Sequence, residues 1–402
     1  MTAELYVFAP RLSALGGLAS QPDLCGRIRW RDGVGTFRYA QEWLEQPHGY
    51  SLDPVNLPLV AGDKNLTVNK GVPGVLADAG PDGWGTALLE KMRGALPTPL
   101  EAMRLTSGAG AGALRFSQSR TRPAPPRSVV AHATLAELEQ AARDLDAGLA
   151  IARSDLDEVF HAGSGLGGAR PKVLVHDGAD EWIAKFGRAA DNMDVPTLES
   201  ACLTLAAKAG IEVPEHRLIR LNGRPALLVR RFDRAAGHPL HYMSLHAMLS
   251  LERLSLNATI PPGPLTYSSL GATCRQLGVP DALSTLFRRM VFNVCIANTD
   301  DHLRNHGLLF DGAWRYAPAF DLVSIGGESM AIGIGHHGRA RTLENALSAA
   351  DRFGLSEEEA SSVLAEVSEA VAGIGDLLHE LEMPAGDVAV VTSRCLLGDR
   401  AR

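Results

Sequence analysis

The feature that most constrains this chain is a run of nine residues, Asn298-Thr299-Asp300-Asp301-His302-Leu303-Arg304-Asn305-His306, in which only Leu303 is apolar. It follows a stretch that puts Phe287, Met290, Val291 and Val294 on one helical face. Short strand patterns come next, Gly307–Phe310 and Trp314–Tyr316, with Asp311-Gly312 as the turn between them. Pro318-Ala319-Phe320-Asp321 then places another carboxylate just past a strand. A single polar residue suffices to cap a helix end, so a run this dense points to chemistry. Phosphoryl transfer requires a carboxylate near the attacking hydroxyl and oxygen ligands for a Mg2+ that clamps the phosphate oxygens. Protein kinases place an Asn five residues after the catalytic Asp and a second metal-binding Asp after a hairpin. Asp300, Asn305 and Asp321 reproduce that spacing, although Phe320-Asp321 reverses the usual Asp-aromatic order.

A nucleotide site would draw on residues upstream. The segment Gly163-Ser164-Gly165-Leu166-Gly167-Gly168-Ala169-Arg170-Pro171-Lys172 is a small-residue loop whose backbone N–H groups can wrap phosphates. It lacks the ending of a Walker loop. Strand patterns follow at Lys172–Val175 and Trp182–Phe186, around Asp177-Gly178. Lys185 stands between Ile183 and Phe186, and an ammonium group amid apolar neighbours needs an anionic partner. ATP phosphates would serve, with Glu199 in the next helix holding the lysine as in the strand-to-helix ion pair of kinases. A zinc hydrolase is the competing reading of His302 and His306, which are four apart. Leu303, however, occupies the position where the HExxH motif has its Glu.

Composition narrows the class further. The 402 residues carry a formal net charge of −7, which argues against a surface built throughout for nucleic acid. Arg27, Arg29 and Arg31, then Arg120, Arg122 and Arg127, then Arg230, Arg231 and Arg234 form local basic groups that read as solvated surface. The five cysteines, at 25, 202, 274, 295 and 395, include no CxxC pair and fit a reducing compartment. The first residues lack a signal-peptide pattern, and no apolar run approaches a membrane span, so a cytoplasmic location is expected.

The organisation reads as β-rich, then α-rich. Strand patterns at Leu5–Phe8, Gly26–Trp30 and Gly35–Tyr39 and a helix before Met92 fall in residues 1–116. A polar, Pro-rich linker covers 117–131. Residues 132–232 open on a Thr134–Glu137 capping box and hold the Gly-rich segment, a helix over 196–209, and a hairpin turning at Asn222-Gly223. Residues 233–402 are mostly helical.

Several ordered motifs together resemble the HipA family of bacterial serine/threonine kinases, the toxin half of HipA/HipB-type toxin–antitoxin modules. Phe37-Arg38-Tyr39, Trp43-Leu44, Leu52-Asp53-Pro54, Leu57-Pro58 and Asp78-Ala-Gly-Pro-Asp82-Gly-Trp84-Gly85 are similar to its N-terminal domain. Gly167–Lys172, Arg231-Phe-Asp-Arg234, Asn298–His302 with Asn305, and Pro318–Asp321 are similar to its kinase part. The resemblance implies an α+β, bilobal protein-kinase-like fold with a β-rich N-terminal domain, residues 132–232 as the N-lobe and 233–402 as a helical C-lobe. It implies Asp300 as the catalytic residue, Asn305 and Asp321 as Mg2+ ligands, and His302 and Phe320 near the nucleotide. Gly167, Gly168, Ala169, Arg170, Pro171 and Lys172 would wrap the phosphates and Lys185 would contact them. Arg230, Arg231 and Phe232 would form the hinge to adenine. Family members often carry an autophosphorylated Ser in the Gly-rich loop. Gly165 occupies one such position, and Ser164 matches a second. The implied partners are a small helix-turn-helix antitoxin, operator DNA mainly through that antitoxin, and a protein substrate such as an aminoacyl-tRNA synthetase. A small-molecule kinase and a catalytically silent co-repressor are the alternatives.

Overall fold

Hydrophobic alternation and turn chemistry build the first sheet. A computed structural model describes residues 3–13, 17–45, 49–67, 69–125, 130–131, 135–150, 152–163, 165–178, 180–235, 238–249 and 265–397. Ser164, Arg127 and Thr134 lie outside the described residues. Ala3–Leu12, Leu18–Arg31, Val34–Tyr39, Lys64–Leu66 and Arg115–Ser117 form five antiparallel strands, with Ala3–Leu12 between Leu18–Arg31 and Arg115–Ser117. Leu5 lies opposite Ile28, Ile28 opposite Phe37, and Val7 opposite Phe116. All five side chains are buried, which fixes the register, because a one-residue slip would turn the whole set outward.

The chain forms two compact units. The first comprises Met1–Ala190, Arg230–Thr259 and Gly307–Trp314, and the second Asp191–Val229, Ile260–His306 and Arg315–Arg402. The division therefore does not follow the linear segments 1–116, 132–232 and 233–402. Polar ties account for the grouping of Arg230–Thr259 with the N-terminal part. The Asp78 carboxylate accepts the Ser244 N–H at 2.7 Å and its hydroxyl at 2.9 Å. Asn56 Nδ2 donates to Met248 O at 2.8 Å, and His241 Nε2 donates to Leu52 O at 2.7 Å. The strand His241–Ser244 pairs antiparallel with Gly307–Phe310. Around it Tyr50 packs on Phe310 at 4.7 Å, and His241 lies 5.7 Å from Trp314 between ring centroids.

Also in the first unit, Lys172–Asp177 and Asp180–Phe186 pair antiparallel, with Lys172 opposite Lys185. The helix Arg153–Gly163 leads directly into the Gly-rich segment. The second unit holds the hairpin of His216–Leu221 with residues 224–229, paired from Arg224↔Leu221 to Val229↔His216. Its turn has φ +51° at Asn222 and +77° at Gly223, the left-handed pair that a two-residue hairpin turn demands. The helices Val195–Lys208, Tyr267–Gln276, Ala282–Ile296 and Glu357–Ala372 dominate the rest. Asp194, Thr266 and Ser356 cap three of them, each accepting a backbone N–H from the first turn. A strand-rich unit and a mostly helical unit make the α+β class expected from the sequence. Among the described residues no helix is long and apolar enough to cross a membrane. All five cysteines are free thiols.

Candidate active site

The polar run begins where the helix Ala282–Ile296 stops. Ala297 adopts φ +59° and closes the helix by donating to Asn293 O and Val294 O. Thr299 then ties the loop to the segment after Asp321. Its hydroxyl donates to Gly326 O at 2.6 Å, and its carbonyl accepts the Ala331 N–H at 3.0 Å.

Adjacent residues in this loop have opposite fates. Asp300 is exposed and Asp301 is buried. The Asp301 Oδ2 accepts three side-chain donors: the Tyr267 hydroxyl in a short bond, Asn293 Nδ2 at 2.8 Å, and His306 Nε2 at 2.9 Å. Asn298 Nδ2 in turn donates to Asn293 Oδ1 at 3.0 Å. A buried carboxylate is tolerated only with such compensation. Burial, and then the neighbouring Asp301 carboxylate, push the Tyr267 phenol well above its ordinary value, so it stays a donor. The network fixes both ends of the loop and leaves Asp300 facing solvent at its apex. His302 is exposed, whereas His306 is buried and bonded to Asp301. The two histidines therefore do not form the convergent pair that a zinc hydrolase needs, and no group of three His, Cys, Asp or Glu side chains among the described residues is arranged to hold a metal.

Asn305 ends a short 3-10 turn, Leu303–Asn305. It is buried, and its Nδ2 donates toward the Asp300 carbonyl at 3.4 Å. The other atom of the amide, Oδ1, is a hard oxygen of the type that Mg2+ accepts. Asp321 sits half-buried at φ +59°, a left-handed conformation uncommon outside glycine, for which Asp is among the better-tolerated residues. The residues before it are held from two sides. Arg289, buried, donates to Ala317 O at 2.7 Å and lies 5.4 Å from the Tyr316 ring centroid. The Ala319 N–H donates to Glu212 O at 2.7 Å. Phe320 is half-buried and lines a small cavity with Arg289, Asn293, Asp301, Asn305 and His306. The Asn305 amide and the Asp321 carboxylate, the expected Mg2+ ligands, carry oxygen donors of the kind that a hard cation takes. Glu199 is buried in the helix Val195–Lys208.

In the first unit, the Lys172 ammonium donates to Gly167 O at 2.6 Å and closes the Gly-rich segment on itself. Residues directly opposite on antiparallel strands share a face, so Lys172 and Lys185 stand on the same face of the pair. An anion between such like charges is stabilising. Gly167 and Ala169 are exposed, Gly168 and Arg170 half-buried, and Pro171 buried.

The basic group Arg230, Arg231 and Arg234, expected as solvated surface, needs a correction at Arg231, which is buried. Its backbone N–H donates to Glu181 O at 2.9 Å. Its guanidinium forms a buried, bidentate pair with Asp233 at 2.9 and 2.7 Å and also donates to Gly110 O at 2.8 Å. Burial alone would raise the Asp233 carboxyl, but the Arg231 and Arg234 guanidiniums hold it well below the usual carboxylate range. Arg230 is exposed and pairs with Asp180 at 2.6 Å, and Phe232 is half-buried.

Sequence reading missed Tyr267, Asn293 and Arg289 as supports. They lie on helices outside the polar run, and no local motif marks them.

Comparison with known proteins finds matches in both the N-terminal and the C-terminal part of the chain. Residues 20–117 match the model of the HipA N-terminal domain, and residues 164–374, more than half of the chain, match that of the HipA-like C-terminal domain. Two provisionally named kinases of Sinorhizobium fredii (strain NBRC 101917 / NGR234) are similar in part. Y4dM is 29% identical over 160 residues, covering 36% of this chain and 37% of the relative. Y4mE is 29% identical over 150 residues, covering 35% and 34%. The chain thus spans about a third of the length of the curated relatives it matches. The HipA chain in a complex of HipA, HipB and operator DNA from Shewanella oneidensis MR-1 superposes with a TM-score of 0.65. It is 18% identical, and the match covers 97% of this chain and 95% of that one, a likeness of fold.

Proposed function

The chain belongs to the HipA family, and we propose that it is an ATP- and Mg2+-dependent kinase that transfers the γ-phosphoryl group to a serine of a protein substrate. The observation that carries this reading is the Asp300 loop: an exposed carboxylate next to a buried one held by three donors, with the Asn305 amide oxygen five residues on.

Phosphoryl transfer passes through a loose transition state, so the protein contributes positioning and charge more than covalent chemistry. Asp300 accepts the proton of the attacking serine hydroxyl as the bond to phosphorus forms. Asp301 does not touch the substrate. Its bonds to Tyr267, Asn293 and His306 keep Asp300 at the loop apex. Asn305 Oδ1 and the Asp321 carboxylate would hold Mg2+, which when bound neutralises charge on the phosphate oxygens. The Gly167–Lys172 backbone and the ammonium groups of Lys172 and Lys185 bind phosphates.

The Shewanella HipA is in a complex with HipB and operator DNA. By family likeness, this chain pairs with a small helix-turn-helix antitoxin and reaches operator DNA mainly through it. A net charge of −7 suits DNA contact made by a partner. An aminoacyl-tRNA synthetase is the substrate class the family suggests, and its modification would arrest translation and growth.

The test is incubation with γ-labelled ATP, Mg2+ and a bacterial lysate, followed by separation of proteins from small molecules and phosphoamino-acid analysis. Label on serine of a protein band supports the reading. Label confined to the small-molecule fraction replaces it with a small-molecule kinase.

A further inference from the structure

The N-terminal part meets the Gly-rich segment at two places within the first unit. At the first, the Trp84 backbone N–H, in the opening turn of the helix Gly83–Arg93, donates to Gly168 O at 2.8 Å. Gly83 makes this approach possible. Its φ is +36°, and a Cβ there would stand 2.5 Å from Gly168 O and 3.0 Å from Ala169 Cα. Asp82 caps the same helix by accepting the Gly83 N–H at 2.7 Å. The Trp84 indole N–H is buried without a hydrogen-bond partner among the described residues, and it lies 3.1 Å from where a Cβ on Gly163 would stand.

At the second place, Gly165 lies against Ala109. A Cβ on Gly165 would come within 2.3 Å of Ala109 Cβ and 2.9 Å of its carbonyl carbon. Ala109 is buried in one cluster with Leu166 and Leu174. The turn that carries Ala109 is itself anchored. Gly110 O accepts from the buried Arg231 guanidinium, and the Gly112 N–H donates to Asp233 at 2.7 Å. The second fixed point of the Gly-rich segment thus belongs to a turn whose own position is set elsewhere. Glycine loses more conformational freedom on ordering than any other residue, so a Gly-rich loop held in advance binds its ligand at a lower entropic cost.

We infer that the Asp82–Trp84 corner and the Ala109 turn are positioning elements for residues 163–172, and that the N-terminal domain thereby sets the affinity for the ATP phosphates. The catalytic half of this inference rests on the kinase reading above. The pinning rests on geometry alone.

The test uses the full chain with Gly83→Ala, Gly165→Ala and the double variant Gly165→Ala/Ala109→Gly. Hydrogen exchange is followed over 163–172 and over the remainder, and KM and kcat for ATP are measured with Mg2+ present. Both single variants speed exchange in 163–172 and leave the helix Glu357–Ala372 unchanged. They raise KM for ATP about three- to tenfold, the worth of one backbone hydrogen bond, while kcat stays within about twofold. Ala109→Gly recovers part of the Gly165→Ala loss, because it removes the nearest clashing atom. Unchanged exchange over 163–172 in both single variants overturns the pinning. Faster exchange with an unchanged KM overturns the positioning role. If the wild type turns over no ATP while exchange responds as stated, the kinase reading fails and the pinning stands.

Discussion

Replacing Tyr267 with Phe removes one oxygen and keeps the ring, which packs edge-on against His306 at 5.8 Å and 83°. The lost bond ends on a carboxylate in a buried site, where a hydrogen bond to a charged group contributes about 1.5–3 kcal/mol. Asn293 and His306 still donate to Asp301, so the carboxylate is not orphaned and the larger penalty of about 3–5 kcal/mol for breaking a buried ion pair is not reached. In a domain of this size each kcal/mol moves the melting midpoint by about 2–4 °C, giving a fall of roughly 3–12 °C. The assay is thermal unfolding of the full chain beside steady-state turnover of ATP. Turnover falls because Asp300 loses part of its support. KM for ATP holds, because the bonds of this network run among Tyr267, Asn293, Asp301 and His306, none of which is a proposed phosphate ligand. A midpoint within about 1 °C of wild type, with unchanged turnover, refutes the idea that Tyr267 holds the loop through Asp301.

Other expectations follow from the same structure. Arg231→Met leaves Asp233 buried without its bidentate partner and destabilises the first unit by about 3–5 kcal/mol, measured by denaturant unfolding. The Asp233 carboxyl is held below its ordinary value, so its contribution is present above about pH 3.9 and is lost as pH falls through the lower folded value. An Asp233→Asn penalty should shrink only in strong acid. His241 is held neutral by burial, its pKa lowered to about 4, while the unfolded chain takes up that proton near pH 6.5. Stability therefore drops between about pH 6.5 and 4, by up to about 3 kcal/mol, and His241→Phe should flatten that part of the pH profile. Asp321→Asn keeps a residue tolerant of φ +59°. It should raise the Mg2+ concentration needed for turnover, and chelation of Mg2+ should stop turnover in the wild type.

Much of the fold was legible because local chemistry and tertiary packing agree. Asn222-Gly223 demands a hairpin, and the structure has one. The helix Ala282–Ile296 is readable from Phe287, Met290, Val291 and Val294, all buried. Shorter or less periodic elements were missed. The strand Arg115–Ser117 has three residues and gains its place from pairing with Ala3–Leu12, more than a hundred positions away. The helix Pro99–Leu105 does carry a readable start, because Thr98 caps it and proline occupies its first turn. In the candidate site, spacing exposed Asp300, Asn305 and Asp321, since each chemical role fixes a residue type. Spacing does not distinguish Asp300 from Asp301. That one is exposed and the other buried depends on Tyr267 and Asn293, which arrive from separate helices. Arg231 was misread for a related reason. Its basic neighbours suggest surface, yet Asp233 two residues on makes it a buried pair.

The central claim is that Asp300 takes the proton from a hydroxyl while the rest of the chain binds MgATP. Single-turnover transfer of labelled γ-phosphate to protein, measured beside MgATP affinity for wild type and Asp300→Asn, tests it most directly. Asp300→Asn should bind MgATP as the wild type does and transfer phosphate at least about 100-fold more slowly, the usual contribution of a positioned base. A transfer rate for Asp300→Asn within about threefold of wild type would contradict it.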